Sequence, residues 1–373
     1  MDKVLITGGA GFIGSRLAPQ LLADGFSLRI LDPLSPQVHG QLPHSLDWLT
    51  DERIAFMRGS LTERRDIEAA LEGVAYVVHL AAETGTGQSM YEVARYNQVN
   101  SQGTALLLDV LANTRGHGVK RIVLSSSRSV YGEGAYVCDS CDRGQERVFP
   151  SARSAERLAR HQWEPLCESC GKGLTAVATR ETDPVRPASI YAATKYAQED
   201  LVRVGCESLG IGYAILRLQN VYGEGQSLKN PYTGILSIFS TKIRRGLELT
   251  LFEDGLESRD FVHVDDVARA MRQCLVCPRA PNQVINVGSG TGTSVADVAR
   301  KLSEAFGAKP NLRVTAEYRV GDIRHNFADI ARLKRELDYE PRVSIEEGLK
   351  RFAMWVLTQP LPEDLLERAN AEL

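Results

Sequence analysis

The chain has no apolar run long enough to span a bilayer, no basic excess, no low-complexity tract and no internal repeat. The first absence excludes a membrane-crossing helix, which needs about 20 consecutive apolar residues. The second removes the electrostatic footprint of a protein that binds nucleic acid or an anionic membrane, since the formal net charge over 373 residues is −3. The start, MDKVLIT, enters a strand pattern at once, without the charged region and apolar stretch of a secretory signal. The seven cysteines are mostly not spaced as a secreted disulfide framework. The expectation is a cytoplasmic protein with no nucleic-acid or membrane partner. What is present, 43% hydrophobic and 24% charged residues, suffices for a sizeable core in one large domain or two moderate ones.

The short apolar strand Val4 to Thr7 runs into Gly8, Gly11 and Gly14, spaced G-x-x-G-x-x-G, and then into a helical pattern through Leu21 and Leu22. Such a loop lets backbone approach a pyrophosphate, which then rests on the helix N-terminus. A second strand, LRILD, ends in Asp32. A carboxylate about 20 residues beyond the glycines accepts from a ribose 2′-hydroxyl and repels a 2′-phosphate, which favours NAD over NADP. Further strands are expected at Ala75 to Ala82 and Arg121 to Ser127, with a helix over Asn100 to Leu111. This alternation implies an α/β fold with a doubly wound parallel sheet, whose ligands bind at the carboxyl ends of the strands.

In the run SIYAATKYAQEDL, Tyr191 precedes Lys195 by four places. On a helix the two share one face, where the ammonium can lower the phenol's pKa and let it exchange a proton near neutrality. Alone, Y-x-x-x-K arises often by chance. Beside the glycine loop it marks the centre of a hydride-transfer site.

TGGAGFIG, HLAA, VNSQGT, SSSRSVYG, YAATK, RLQNVYG, DGLESRDFVHVDDVA, INVGSG and VGDIRHNFAD follow one another in that order. With these motifs the chain resembles the extended short-chain dehydrogenase/reductase family, among its nucleotide-sugar epimerases and dehydratases. The resemblance implies a Rossmann sheet, a homodimer and NAD as cofactor. It makes Tyr191 the acid/base and Ser127 its partner on the sugar oxygen. Lys195 then holds the nicotinamide ribose. It extends the NAD site to Phe12, Ile13, Ser60, Leu61, Leu80, Ala81, Ala82, Asn100 and Ser125. For the nucleotide-sugar substrate it implies Arg128, Asn220, Leu251 (in LTLFEDG, like a base-reading loop), Arg259 and Arg319. Arginine forks suit a diphosphate. Plainer roles stay open: Ser127 as a cap of the next turn, Asn220 as a turn residue, Arg259 as an ion-pair partner of Asp260, and Arg324 in place of Arg319. In ETGTGQS, the hydroxyls of Thr84, Thr86 and Ser89 could bind the hexose, or the segment is an ordinary Gly-rich loop.

Two departures from the family pattern bear on the reaction. Where the dehydratases carry an Asp-Glu pair after the catalytic hydroxyl residue, this chain has Arg128 and Ser129, which argues for epimerisation or reduction. Where many relatives have Gly-Asp-Leu at the adenine, it has Gly59, Ser60 and Leu61. An insert also separates Ser127 from Tyr191. It holds Cys138-x-x-Cys141 and Cys167-x-x-Cys170, 25 residues apart, slightly beyond the usual zinc-ribbon spacer. Four thiolates so spaced predict a structural Zn site, with disulfides or metal-free thiols as alternatives. Between Glu133 and Arg186 there are 8 Arg or Lys and 9 Asp or Glu, a balance that makes a poor phosphate-binding surface. Cys274 and Cys277 sit in an apolar helical run and read as core thiols, and Cys206 as a lone helical thiol.

The expected organisation is an NAD domain over residues 1–220, carrying the insert at 133–187 and rejoined by 260–290. A mainly sugar-nucleotide-binding lobe covers 221–373. The expected reaction is NAD-dependent 4-epimerisation of a nucleotide-activated hexose by reversible hydride transfer through a 4-keto sugar. With its insert, the chain looks most like the dTDP-L-rhamnose 4-epimerases, which make dTDP-6-deoxy-L-talose. The alternatives are a nucleotide-sugar reductase or dehydrogenase, and a non-catalytic NAD-sensing scaffold.

Overall fold

The computed structural model describes residues 1–40, 46–141, 146–228, 234–277 and 282–361. Its framework runs β1 Lys3–Thr7, α1 Phe12–Ala23, β2 Ser27–Asp32, β3 Ile54–Arg58, β4 Tyr76–His79, α2 Gly103–Asn113, β5 Arg121–Ser127, α3 Ile190–Leu209, β6 Gly212–Leu218, α4 Val264–Val276 and β7 Gln283–Val287. The seven strands form one parallel sheet in the order β7-β6-β5-β4-β1-β2-β3. The order reverses between β1 and β4, and a ligand crevice opens at such a switch point.

Side-chain alternation along the strands builds two cores. Val4 and Ile6 join Val78, Val123 and Leu216 on one face, against Leu17 and Leu21 of α1 and Met271 and Cys274 of α4. Leu5 joins Val77, Ile122 and Ile215 on the other, against Leu107 and Leu111 of α2 and Val202 and Cys206 of α3. Period-two alternation in strands buried on both faces produces this double layer. Cys206, Cys274 and Cys277 are buried thiols.

The strand expected over Ala75 to Ala82 stops at His79, and the backbone then leaves the sheet to line the cleft. The helix expected from Asn100 is preceded by a π-helical turn, Asn97–Gln102, and becomes α-helical at Gly103. A third core lies in the C-terminal lobe. There the helices Ile235–Arg244, Val295–Ala305 and Ile345–Thr358 pack on the paired strands Leu249–Leu251 and Leu312–Val314. No helix among the described residues is long and apolar enough to cross a membrane.

Candidate active site

A cleft of about 1110 Å³ lies over the carboxyl ends of β1, β2, β4, β5 and β6. Gly8, at φ +64°, forms its floor. A Cβ there would sit 2.7 Å from the Ala81 backbone, so only glycine lets the first loop close against the loop after β4. Gly14 meets the same limit, 2.1 Å from the Gly9 carbonyl oxygen. Gly11, Phe12, Ile13, Ser60, Leu61, Leu80, Ala81, Ala82 and Ser125 line this cleft with Asp32.

The Asp32 carboxylate accepts from the Ala10 N–H at 3.2 Å and the Leu34 N–H at 2.8 Å, and His39 Nε2 lies 3.7 Å away. That histidine was not anticipated. The N–H of Ser60 donates to Asp66 at 2.8 Å, so the carboxylate near the missing family acid anchors the backbone. Asn100 is fully buried. Its Oδ1 accepts from the Glu83 N–H, and its Nδ2 donates to the Glu83 carbonyl and to Thr194 Oγ1. Its amide therefore ties the cleft wall to α3, and it is absent from the cleft lining.

Ser189 caps α3 by accepting from the Ala192 N–H at 3.1 Å, and Gly210 ends it in the left-handed conformation. Tyr191 and Lys195 therefore stand one turn apart at the cleft. Lys195 is buried, and its Nζ donates to the Ser125 carbonyl at 2.9 Å. Burial pushes it down to about 7, against the pull of Glu199. Burial raises Tyr191, while the Ser127 hydroxyl and the Arg128 charge draw it back down. The groups that oppose the rise in the phenol are thus Ser127 and Arg128, whereas the spacing alone pointed to Lys195. The Tyr96 ring meets Tyr191 edge-on at 6.4 Å.

Parallel pairing of β5 with β6 sets Ser127 opposite Leu218, and just beyond the strands Arg128, one residue on, meets Asn220, two residues on. Ser127 Oγ accepts from Ser129 N and Ser129 Oγ. It both caps the next turn and faces the phenol. Arg128 Nε donates to Asn220 Oδ1, and its buried Nη1 has no hydrogen-bond partner among the described residues. Burial and the nearby Arg259 push Arg128 down to about 9. Two cations and an idle donor suit an anionic ligand.

Arg259 donates to the carbonyls of Ser258, Arg324 and Ile323, while Asp260 accepts from Ser289, Gly290 and Ala328, so these neighbours are not an ion pair. Arg319 is exposed and lies 4.9 Å over the Phe252 ring. Arg324 is buried and spent on Glu164, Glu253 and Asp254. Leu251 is a correction: its side chain is 1% exposed and belongs to the lobe core. Thr84 and Thr86 line the cleft. Their loop is braced by a helical turn at Thr86–Ser89 and by Tyr96, whose hydroxyl donates to the Thr84 carbonyl. Behind α3, buried Arg217 binds Glu199, to which Ser126 also donates.

In the insert, the hairpin Ala135–Val137 with Thr175–Val177 brings the four cysteine sulfurs within 4.8 Å of one another. Cys138 and Cys170 are 3.6 Å apart, and Cys141 and Cys167 3.5 Å. Around a tetrahedral zinc with bonds near 2.3 Å, sulfurs are separated by about 3.8 Å. All four are free thiols, and the N–H groups of Cys170 and Ser169 donate to the Cys167 sulfur. The donor set and its spacing fit zinc.

A family profile described as the NAD-dependent epimerase/dehydratase family matches residues 4–157 and 167–288. The chain belongs to this family. It is 38% identical over 358 residues to dTDP-L-rhamnose 4-epimerase of Burkholderia thailandensis, with 95% of this chain and 94% of that protein covered. The UDP-glucose 4-epimerase of Thermotoga maritima, solved with UDP-glucose, superposes with a TM-score of 0.74 at 30% identity, covering 95% of this chain and 98% of that one. The Thermus thermophilus UDP-glucose 4-epimerase complex with NAD gives 0.75 at 27% identity, covering 96% and 100%. As a member of the epimerase/dehydratase family, the chain is an NAD-dependent nucleotide-sugar epimerase.

Proposed function

We propose that this epimerase inverts C4 of dTDP-L-rhamnose to give dTDP-6-deoxy-L-talose, working as a cytoplasmic homodimer with a structural zinc on Cys138, Cys141, Cys167 and Cys170. The choice of sugar is carried by the 38% identity to the Burkholderia enzyme across nearly the whole of both chains. The glycine loop, Asp32 and Lys195 would hold NAD, which supplies a hydride acceptor and donor when bound.

Tyr191 takes the proton of the sugar 4-hydroxyl as C4 is oxidised, and returns it after the keto sugar has turned its other face. Ser127, whose hydroxyl lowers the pKa of the phenol, orients that proton. Arg128 supports the deprotonated phenol and, with Arg259, balances anionic charge on the substrate. Arg128 and Ser129 replace the carboxylate pair by which dehydratases eliminate water. This favours epimerisation over 4,6-dehydration.

The test is incubation with dTDP-, UDP- and GDP-sugars without added cofactor, followed by NMR of the products. The expected result is interconversion of the two dTDP-6-deoxyhexoses faster than any UDP-sugar. Faster UDP-glucose conversion would overturn the substrate assignment, and a requirement for stoichiometric NADH would point to a reductase.

A further inference from the structure

The insert leaves the catalytic turn at Glu133 and returns at Arg186, whose N–H donates to the Val130 carbonyl at 2.9 Å. Its far end reaches the C-terminal lobe. Arg153, buried, donates through Nη1 to Glu253 Oε2 at 2.7 Å and through Nη2 to the Asp322 carbonyl at 2.9 Å. Glu164 accepts from Arg324 Nε at 2.8 Å, and the same guanidinium binds Asp254. The Trp163 ring meets that of Tyr318 at 6.3 Å, next to Arg319 over Phe252. One segment of the insert, 153–164, therefore grips both the 252–254 loop and the 318–325 loop.

The gripped loops present rings and a guanidinium to solvent: Phe252 and Tyr318 are half-buried and Arg319 is exposed. Flat rings offer stacking to a planar base, and the arginine fork offers two donors to a phosphate. A short loop cannot hold such groups in place by itself. Here the order comes from a buried ion pair, Arg153–Glu253, reaching across 100 residues of sequence, with Arg324 joined to the same carboxylate.

We propose that the four-cysteine insert is part of the nucleotide-sugar site. Trp163, Arg153 and Glu164 act as positioning residues that shape the Phe252 and Arg319 loops to take a nucleoside diphosphate. This rests on the nucleotide-sugar reading above and assigns to the insert a share in substrate recognition.

The experiment titrates dTDP and UDP, each alone, into the full-length NAD-loaded protein by calorimetry, with steady-state kinetics alongside. W163A should weaken nucleoside diphosphate binding about tenfold and raise KM by a similar factor, with a smaller effect on kcat and unchanged NAD content. W163F should restore most of the affinity. E164Q, which keeps the shape but removes a charge from Arg324, should weaken binding severalfold and carries the test should W163A fail to fold. Wild-type affinity in both folded variants overturns the proposal while leaving the enzyme assignment intact. A wild-type protein that binds neither nucleotide removes the nucleotide-sugar reading, and the proposal with it.

Discussion

Arg128 Nε donates to Asn220 Oδ1 at 2.7 Å, joining the turn after β5 to the segment after β6. The bond consumes one donor of the guanidinium and leaves its buried Nη1 without a hydrogen-bond partner among the described residues, while Arg259 and Tyr191 both shift its ionisation. A cation held there can serve the phenol and the substrate together.

Arg128→Ala should therefore have two effects. Loss of a charge-assisted contact should weaken nucleotide-sugar binding about tenfold or more. Loss of the nearby cation should raise the Tyr191 pKa, so that the rise of kcat with pH moves to higher pH. Kinetics between pH 6 and 10 measure both. An unmoved profile with unchanged KM would leave Arg128 without a role at the site.

Tyr191→Phe removes the proton carrier but leaves the ring, its contact with Tyr96 and the cleft shape. Turnover should fall by about 10²-fold or more, while dTDP and NAD binding stay near wild type. Near-normal activity would refute the acid/base assignment.

Lys195 links stability to pH. Its folded pKa, about 7, lies below the ordinary lysine value of 10.5, because burial disfavours the ammonium. Between these values the unfolded chain binds more protons than the folded one, so stability rises with pH. The cofactor-free protein should gain up to about 2 kcal/mol between pH 7 and 9 from this group. Below pH 7 the lysine is charged in both states and the dependence vanishes. Urea unfolding at several pH values tests this, and Lys195→Met should remove the slope.

The parts of the fold and site that were legible in sequence depend on short-range spacing. The glycine loop, Asp32 at the end of β2 and the Tyr191–Lys195 turn each follow from local geometry. Leu251 shows where this fails. The motif placed it at a ligand, but alternation along Leu249–Leu251 buries both leucines and leaves Thr250 between them half-exposed. Arg324 and Arg319 share a loop, and only their three-dimensional partners separate the buried ion pair from the exposed guanidinium. The Arg153–Glu253 and Arg217–Glu199 pairs had no local signature, because such partners meet only once the chain has folded. The first of these pairs also anchors the four-cysteine insert. Its 153–164 segment is pinned to the lobe by side chains that owe nothing to the cysteines.

The metal prediction follows from that division of the insert. Cys138 and Cys167 are buried with Tyr136 and Leu174 in a core too small to order two knuckles on its own. Purified protein should contain about one zinc per chain, bound by four thiolates in a closed shell with no position for water or substrate. Cys167→Ser should lose the metal and open the knuckle ends, around residues 138–141 and 166–175, to protease. The 153–164 segment should stay protected by the Arg153–Glu253 and Arg324–Glu164 pairs. NAD binding should persist, because the glycine loop follows β1 and Asp32 ends β2 in the seven-stranded sheet, separate from the insert's strand pair. Elemental analysis and limited proteolysis with mass spectrometry measure these outcomes. Metal-free protein purified without chelator, with four titratable free thiols in the insert and wild-type resistance to protease, would show that the knuckles hold by packing alone.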